Sequence, residues 1–260
     1  MSAWNPQQYL RFRRERAQPF YDLLDLVTPR QRMRVVDLGC GTGALTCVLH
    51  ERLGAARTTG IDSSEDMMRS ARKQAVAGVV FEQGGIEDFA ADAGGEAFDL
   101  VFSNAALHWL PDHPRLFEQL AGRLADGGQL AVQMPDNFDY HSHTAARAVA
   151  DRPEFRDHLE RAHAPGVLRA EEYAELLHRL GFRSQTVRLA VYPHVLPTRR
   201  HAVEWARGSI LTPYRARLTD DEYTRFEDAY AEELFGRLGA DRDDQPLFFP
   251  YRRLLISARR

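Results

Sequence analysis

Residues 35–43 read VVDLGCGTG, and no other segment of the chain is as informative about its architecture. An apolar run that ends at Asp37 is typical of a buried strand, and Gly39, Gly41 and Gly43 follow at alternate positions before a helical pattern. Glycines let the backbone turn sharply and approach a ligand with no side chain in the way. The dinucleotide-binding fingerprint has a longer gap before its third glycine, so the GxGxG spacing argues against that class of site.

On both sides of this loop, strand-like runs alternate with helical patterns. The predicted strands are residues 33–40, 57–62, 79–84, 98–104 and 129–135, with 185–195 and 247–260 later in the chain. Alternation of this kind predicts an α/β fold, here a Rossmann-like, doubly wound, mostly parallel seven-stranded sheet with a helical lid insertion.

The alternation weakens after Pro135. Residues 137–169 are polar, histidine-rich and irregular, a helix ending at Gly181 follows, and residues 199–238 have helical periodicity. We therefore predict one domain over residues 1–260. In it, an N-terminal segment (1–30) and helical insertions (about 137–180 and 198–240) form a lid over the substrate.

Composition excludes several classes of function. A formal net charge of −3 over 260 residues gives no general attraction to nucleic acid or anionic membranes, although RFRRER (residues 11–16) is locally basic. The only cysteines, Cys40 and Cys47, match no zinc pattern, so we predict no metal. The sequence has no apolar run of about 20 residues and no signal-peptide pattern, which predicts a cytoplasmic protein without a membrane partner.

Asp62, at the end of the second predicted strand, is the next informative residue. It follows the glycines by about 20 residues, and a carboxylate there can accept hydrogen bonds from both hydroxyls of a ribose. A simple helix-capping aspartate is the alternative. Ser63 and Ser64 begin a helix directly after it.

The glycine loop, with Asp37 two places before its first glycine, resembles the loop of class I S-adenosylmethionine-dependent methyltransferases. Such a resemblance implies S-adenosyl-L-methionine as the cofactor and a D-x-S-x-x-M pattern at Asp62, Ser64 and Met67. Family members usually have an acidic residue where this chain has Gly85, so adenine recognition would fall to Ile86 and Glu87. The cofactor residues implied are Asp37, Gly39, Gly41, Gly43, Asp62, Ser63, Met67, Gly85, Ile86, Glu87 and Asn104, the last beside the methionine part.

The segments AWNPQQYLRF, FSNAALHWLPDH, LAVQMPDNFDYHSH, VEWARGSILTPY and FFPYRRLLISARR extend the resemblance over almost the whole chain, to the trans-aconitate methyltransferase family. It implies methyl transfer to a carboxylate of a small polycarboxylic acid, giving a monomethyl ester. A carboxylate is ionised at neutral pH, so its methylation requires no general base. Thr212 and Gln18 stand where the family often has arginine, which leaves the acceptor open.

A polycarboxylate suits arginine forks and phenol or indole donors. We predict substrate contacts from Trp4, Tyr9, His108, Trp109, Gln133, Arg207, Tyr214, Tyr251, Arg252 and Arg253. His108 has two possible roles, positioning the acid or acting as the base if the acceptor is a hydroxyl or an amine. A nicotinamide dehydrogenase and a non-catalytic binding module are the alternatives from other classes. The sequence leaves the oligomeric state and the methylated carboxylate open.

Overall fold

The computed structural model describes residues 13–159, 166–239 and 245–260, with side chains from residue 17 onward. The chain divides into two compact units. The sheet unit comprises residues 17–135, 166–190 and 253–260, and the helical unit comprises the remaining described residues. The boundaries fall inside the last two strands, after residues 190 and 252. The prediction of one domain with a lid remains a prediction.

Seven strands form one sheet within the described residues, in the order β3-β2-β1-β4-β5-β7-β6. Their bounds are β1 Arg34–Leu38, β2 Arg57–Asp62, β3 Val79–Gln83, β4 Phe98–Asn104, β5 Leu124–Pro135, β6 Ser184–Leu196 and β7 Leu247–Arg259. Strands β1 to β5 pair in parallel, and β7 runs antiparallel to β5. The predicted Rossmann-like α/β fold is thus confirmed. Strands β2 and β4 lie on opposite sides of β1, so the direction in which strands are added to the sheet reverses between β1 and β4. In open α/β sheets, ligands bind at the carboxyl ends of the strands at such a reversal.

Two apolar clusters cover the two faces of the sheet. One face carries Val35, Leu100, Phe102, Ala131 and Leu255, which pack with helix α1 (Arg13–Leu24) and helix α2 (Ala44–Leu53). The opposite face carries Val36, Val101, Val132 and Ile256, alternate residues on the same strands, and is covered by other helices. These are α4 (Ile86–Ala91), α5 (His113–Gly122) and α8 (Ala170–Arg179). Helix α3 (Glu65–Arg72) lies on the first face, because it packs on Val79 and Phe81 of β3, and Val79 is in register with Thr58 and Val35. Packing on both faces therefore fixes the positions of the strand ends relative to one another.

The helical unit has its own core. Its helices are α6 (His141–Ala150), α7 (Pro153–Leu159), α9 (Arg200–Arg207), α10 (Thr212–Arg215) and α11 (Asp220–Leu238). Trp205, Phe226, Tyr230 and Phe249 are fully buried members of that core. Thr219 and Glu222 form a reciprocal capping box that starts α11.

The expectation that residues 137–169 are irregular was wrong, since α6 and α7 lie there. Helix α6 buries Ser142, Ala145, Ala146 and Val149 at helical spacing, and small side chains of this kind give no conspicuous apolar stripe. Among the described residues, no helix combines the length and the apolar character that crossing a membrane requires.

Candidate functional site

The glycine loop connects β1 to α2 and lies beside the end of β2. Gly39, Gly41 and Gly43 all have positive φ angles (74°, 55° and 78°), a region that L side chains rarely adopt. A Cβ at Gly39 would collide with the Cβ of Ala106, and one at Gly43 would collide with the ring of Phe81. A Cβ at Gly41 would meet nothing within 4 Å. Gly41 is therefore the member of the loop whose backbone faces open space.

Asp62 joins the glycine loop to the end of β2. Its Oδ2 accepts a hydrogen bond of 2.9 Å from the N–H of Gly41, and its Oδ1 accepts one of 2.9 Å from the N–H of Ser64. Each carboxylate oxygen can accept a second hydrogen bond, so one acceptor position per oxygen is left for a diol. The backbone fixes the carboxylate in place before any ligand binds, which suits the predicted ribose contact.

Asp37 is buried at the end of β1. Its Oδ2 accepts a 2.6 Å hydrogen bond from Thr46, which is in the first turn of α2. Burial raises the pKa of Asp37 from 3.8 to about 6, and the charge of Asp62 adds to the rise while the bond from Thr46 opposes it. Thr46 was not identified from the sequence. A hydroxyl in the turn that follows the glycines was the available signal.

The residues predicted to surround an adenine lie after β2 and β3. Ser63 is exposed, Met67 is half-buried in α3, and Gly85 precedes α4. Ile86 reaches the glycine loop, since its Cδ1 lies 3.8 Å from the position of a Cβ on Gly39. Glu87 is exposed on α4. Ile86 thus lies against the glycine loop.

Three polar residues continue one face of the sheet at the carboxyl ends of β4 and β5. Asn104 pairs laterally with Gln133, and Leu255 of β7 lies opposite Gln133, with Arg253 two residues away on the same face. Asn104 lies on the same face of β4 as Leu100 and Phe102, and Gln133 lies on the same face of β5 as Ala131.

The amides at this edge of the sheet have buried polar atoms without a partner. Within the described residues, Oδ1 of Asn104 and Nε2 of Gln133 are buried and make no hydrogen bond. Burying such atoms unpaired is costly, and they are the kind of groups that a ligand satisfies. Arg253, on the same face, is also buried. An acceptor, a donor and a cation are therefore aligned at the strand ends.

His108 and Trp109 lie in a 3-10 turn, Leu107–Trp109, just after β4. Their ring centroids are 4.5 Å apart, and Trp109 is 53% exposed. His113 holds this turn in place, because its Nε2 donates a 3.0 Å hydrogen bond to the carbonyl of Leu107. Its Nδ1 therefore accepts from the hydroxyl of Tyr173, which fixes a neutral imidazole, and burial lowers the pKa of His113. Neither His113 nor Tyr173 was identified from the sequence.

The helical unit contains four of the predicted substrate residues. Arg207 forms a bidentate ion pair with Glu227, with an Nε–Oε2 distance of 2.6 Å. Arg252 donates to the carbonyl of Asp136 at 2.9 Å and pairs with Asp139. Both guanidinium groups thus have acidic partners on their own unit.

Tyr214 and Tyr251, the other two, are buried in the core of the helical unit. Tyr214 stacks on Phe226 with 4.9 Å between the ring centroids, and the ring centroids of Tyr251 and Trp205 are 5.7 Å apart. Tyr230, which was not singled out from the sequence, is buried in the same core, and its hydroxyl has no hydrogen-bond partner within the described residues. Trp4 and Tyr9 lie outside the described residues. Arg207, Tyr214, Tyr251 and Arg252 remain predictions as substrate residues.

The amino-acid sequence is similar to a known family and to proteins with a known name. Residues 9–187 match the family described as "Methyltransferase domain". A trans-aconitate 2-methyltransferase of Deinococcus radiodurans is 41% identical over 265 residues, covering 99% of this chain and 98% of the relative. A trans-aconitate 2-methyltransferase of Escherichia coli O1:K1 / APEC is 38% identical over 261 residues, covering 100% and 99%.

Solved structures resemble this fold at lower identity. The YcgJ protein of Bacillus subtilis superposes with a TM-score of 0.58 at 17% identity, covering 93% of this chain and 97% of that one. Phosphoethanolamine N-methyltransferase 2 of Haemonchus contortus, in complex with S-adenosyl-L-methionine, has a TM-score of 0.54 at 17% identity, covering 94% and 52%. At these identities the likeness shows the fold alone.

Proposed function

This chain belongs to the methyltransferase domain family and is an S-adenosylmethionine-dependent enzyme, and we propose that it methylates a carboxylate of trans-aconitate to give a monomethyl ester. The full-length relatives at 38% to 41% identity carry that name. The observation in this chain that carries the proposal is the line of Asn104, Gln133 and Arg253 at the strand ends. The relatives named above are methyltransferases, which gives no support to a dehydrogenase.

The glycine loop and its neighbours fit the cofactor. The carboxylate of Asp62 has acceptor capacity left for a ribose diol, and the backbone of Gly41 faces open space. The buried Oδ1 of Asn104 can accept from an ammonium group, so it fits the methionine end. When bound, S-adenosylmethionine supplies a methyl group on a positively charged sulfur. The chain itself must hold the acceptor and exclude water.

Holding the acceptor is the main task of the substrate residues, because a carboxylate is already ionised at neutral pH. Nε2 of Gln133 is a buried donor, and Arg253 supplies a buried positive charge on the same face of the sheet. Arginine matches a carboxylate with two parallel donors, which fixes both the position and the orientation of the acid. Alignment and desolvation of the acceptor can supply much of the rate enhancement. We propose that the reaction takes place in the cytoplasm, on a small acid and not on nucleic acid.

The test is a methyl-transfer screen over small di- and tricarboxylates, with the product identified by mass. We expect an ester of trans-aconitate from the wild-type chain. Arg253→Gln should lower kcat/KM by about 10- to 100-fold, the effect of losing a charge-assisted hydrogen bond. Arg259→Gln is the matched control, since Arg259 lies on the same strand but is exposed. Formation of no carboxyl ester by the wild type would refute the substrate and leave the cofactor assignment standing.

Methylation of a hydroxyl or an amine is the alternative, with His108 as the base. It has one supporting observation, the packing of the His108 ring against Trp109 just after β4. His108→Gln separates the two proposals, because a positioning role tolerates the amide and a base does not. Full activity of His108→Gln on trans-aconitate would argue against the base.

A further inference from the structure

Residues 105–112, here called the strand-end loop, connect β4 to helix α5. The N–H of Ala105 donates a 2.9 Å hydrogen bond to the carbonyl of Gln133. The Cβ of Ala106 occupies the space that a side chain on Gly39 would need. The strand-end loop therefore contacts both the glycine loop, which fits the cofactor, and Gln133, which is a proposed acceptor residue.

Local backbone preference does not account for the shape of the strand-end loop. Ala105 and Asp112, at its two ends, have positive φ angles of 57° and 50°, which residues other than glycine rarely adopt. Such backbone costs free energy and persists where the surrounding structure imposes it. Contacts with other parts of the sheet unit must therefore fix the shape of the loop.

A chain of hydrogen bonds supplies one of these contacts. The N–H of Leu168 donates to the hydroxyl oxygen of Tyr173 at 3.3 Å, and that hydroxyl donates to Nδ1 of His113. Nε2 of His113 donates to the carbonyl of Leu107 at 3.0 Å, and the N–H of Leu110 donates to the same carbonyl at 2.9 Å. Because Nδ1 accepts, Nε2 must carry the proton of the neutral ring, and its bond is directed at the loop.

Filling the core does not by itself require an imidazole at this position. His113 is fully buried, and its ring stacks on Phe117. An apolar side chain could occupy that space without burying polar atoms. The imidazole differs from an apolar side chain in its bond to Leu107, the first residue of the turn that carries His108 and Trp109.

We propose that His113, oriented by Tyr173, is a positioning residue for methyl transfer, because its bond to the Leu107 carbonyl sets where the strand-end loop lies between the cofactor and the acceptor. The inference rests on the proposed function. All the residues that it uses belong to the sheet unit. Methyl transfer requires the acceptor oxygen to be aligned with the methyl group, and a displacement of about 1 Å can lower the rate by about 100-fold.

The test compares two amides, each of which replaces one nitrogen of the imidazole. His113→Gln keeps a donor at the position of Nε2, whereas His113→Asn places its amide at the position of Nδ1 and loses the bond to Leu107. For His113→Asn we expect kcat with trans-aconitate to fall by about 10- to 100-fold, while the Kd for S-adenosylhomocysteine stays within about twofold of the wild type. His113→Gln should rescue kcat to within about threefold of the wild type.

Two further variants separate positioning from stability. Leu120→Val shortens a fully buried side chain on the same helix, so it should lower the urea midpoint without lowering kcat. Tyr173→Phe removes the hydroxyl that orients His113 and should lower kcat in the same direction as His113→Asn. Equal kcat values for His113→Asn and His113→Gln, or a wild-type kcat for Tyr173→Phe, would overturn the inference.

The fluorescence of Trp109, which lies in the turn, reports on the loop without turnover. Its acrylamide quenching is the difference between each protein and the same protein with Trp109→Phe. The quenching constant should rise in His113→Asn and match the wild type in His113→Gln, and an unchanged constant in His113→Asn would overturn the inference. If the wild type does not methylate trans-aconitate, the proposed function fails, and the quenching comparison still decides whether His113 holds the loop.

Discussion

Replacing Asp37 by asparagine tests whether this chain keeps a destabilising charge beneath its glycine loop. Burial raises the pKa of Asp37 from 3.8 to about 6. At about 1.4 kcal/mol per pKa unit, the ionised side chain costs the folded state about 3 kcal/mol at neutral pH. The replacement side chain would carry no charge, and its amide oxygen could still accept from Thr46.

The pH dependence gives the sign of the effect. Because the unfolded chain has the lower pKa at this residue, it releases its proton first as the pH rises. Asp37 therefore disfavours the wild-type fold progressively from about pH 4 to pH 6, and the penalty is constant above that. The free energy of unfolding of Asp37→Asn, minus that of the wild type, should grow by about 2 kcal/mol between about pH 4.5 and about pH 7.5.

Urea unfolding of the ligand-free proteins, followed by circular dichroism at both pH values, measures this difference. Asp66→Asn is the control, since Asp66 is an exposed carboxylate paired with Arg69 and its difference from wild type should change little. A pH-independent difference for Asp37→Asn would refute the reasoning. If the charge is retained for the cofactor, the same variant should also bind S-adenosylhomocysteine at least about tenfold more weakly.

Three further predictions follow from the sheet unit. Gly39→Ala should lower the free energy of unfolding by at least about 1 kcal/mol more than Gly41→Ala, because only at Gly39 does the added Cβ collide with Ala106; equal urea midpoints would contradict this. The wild type should lose stability relative to His113→Asn as the pH falls below about 6.5. The reason is that the pKa of His113 is lowered in the folded state, so the unfolded chain takes up the proton first. Urea midpoints of the two proteins, measured above and below about pH 6.5, should diverge in this direction. Arg123→Leu should cost about 2 kcal/mol in urea, since the buried guanidinium donates to the carbonyls of Asp92 and Glu96; an unchanged midpoint would show that these bonds contribute nothing.

The centre of the sheet could be predicted from sequence because β1, β2 and β4 are buried on both faces. β2 and β4 have the predicted bounds, and in β4 an apolar run flanked by turn residues marks both ends of the strand. The first residues of β5 were missed because Asp126, Gly127 and Gly128 resemble a turn, whereas the strand accommodates them through a shift in register with β4.

The site was predictable only where local spacing carries the chemistry. Asp62 follows the glycines by a characteristic interval, and the structure ties it to Gly41. The acidic partner of Arg207, Glu227, is 20 residues away in the sequence, and that of Arg252, Asp139, is 113 residues away. No local sequence pattern predicts such ion pairs.

The position of β7 bears on how this chain is synthesised. Although β7 comes last in the chain among the seven strands, it lies in the interior of the sheet between β5 and β6. Both neighbours therefore leave the ribosome before the strand that joins them, and their unpaired edges stay available to other chains until residues 247–259 emerge. Ribosome stalling before residues 247–259 emerge, or removal of those residues, should thus yield aggregates.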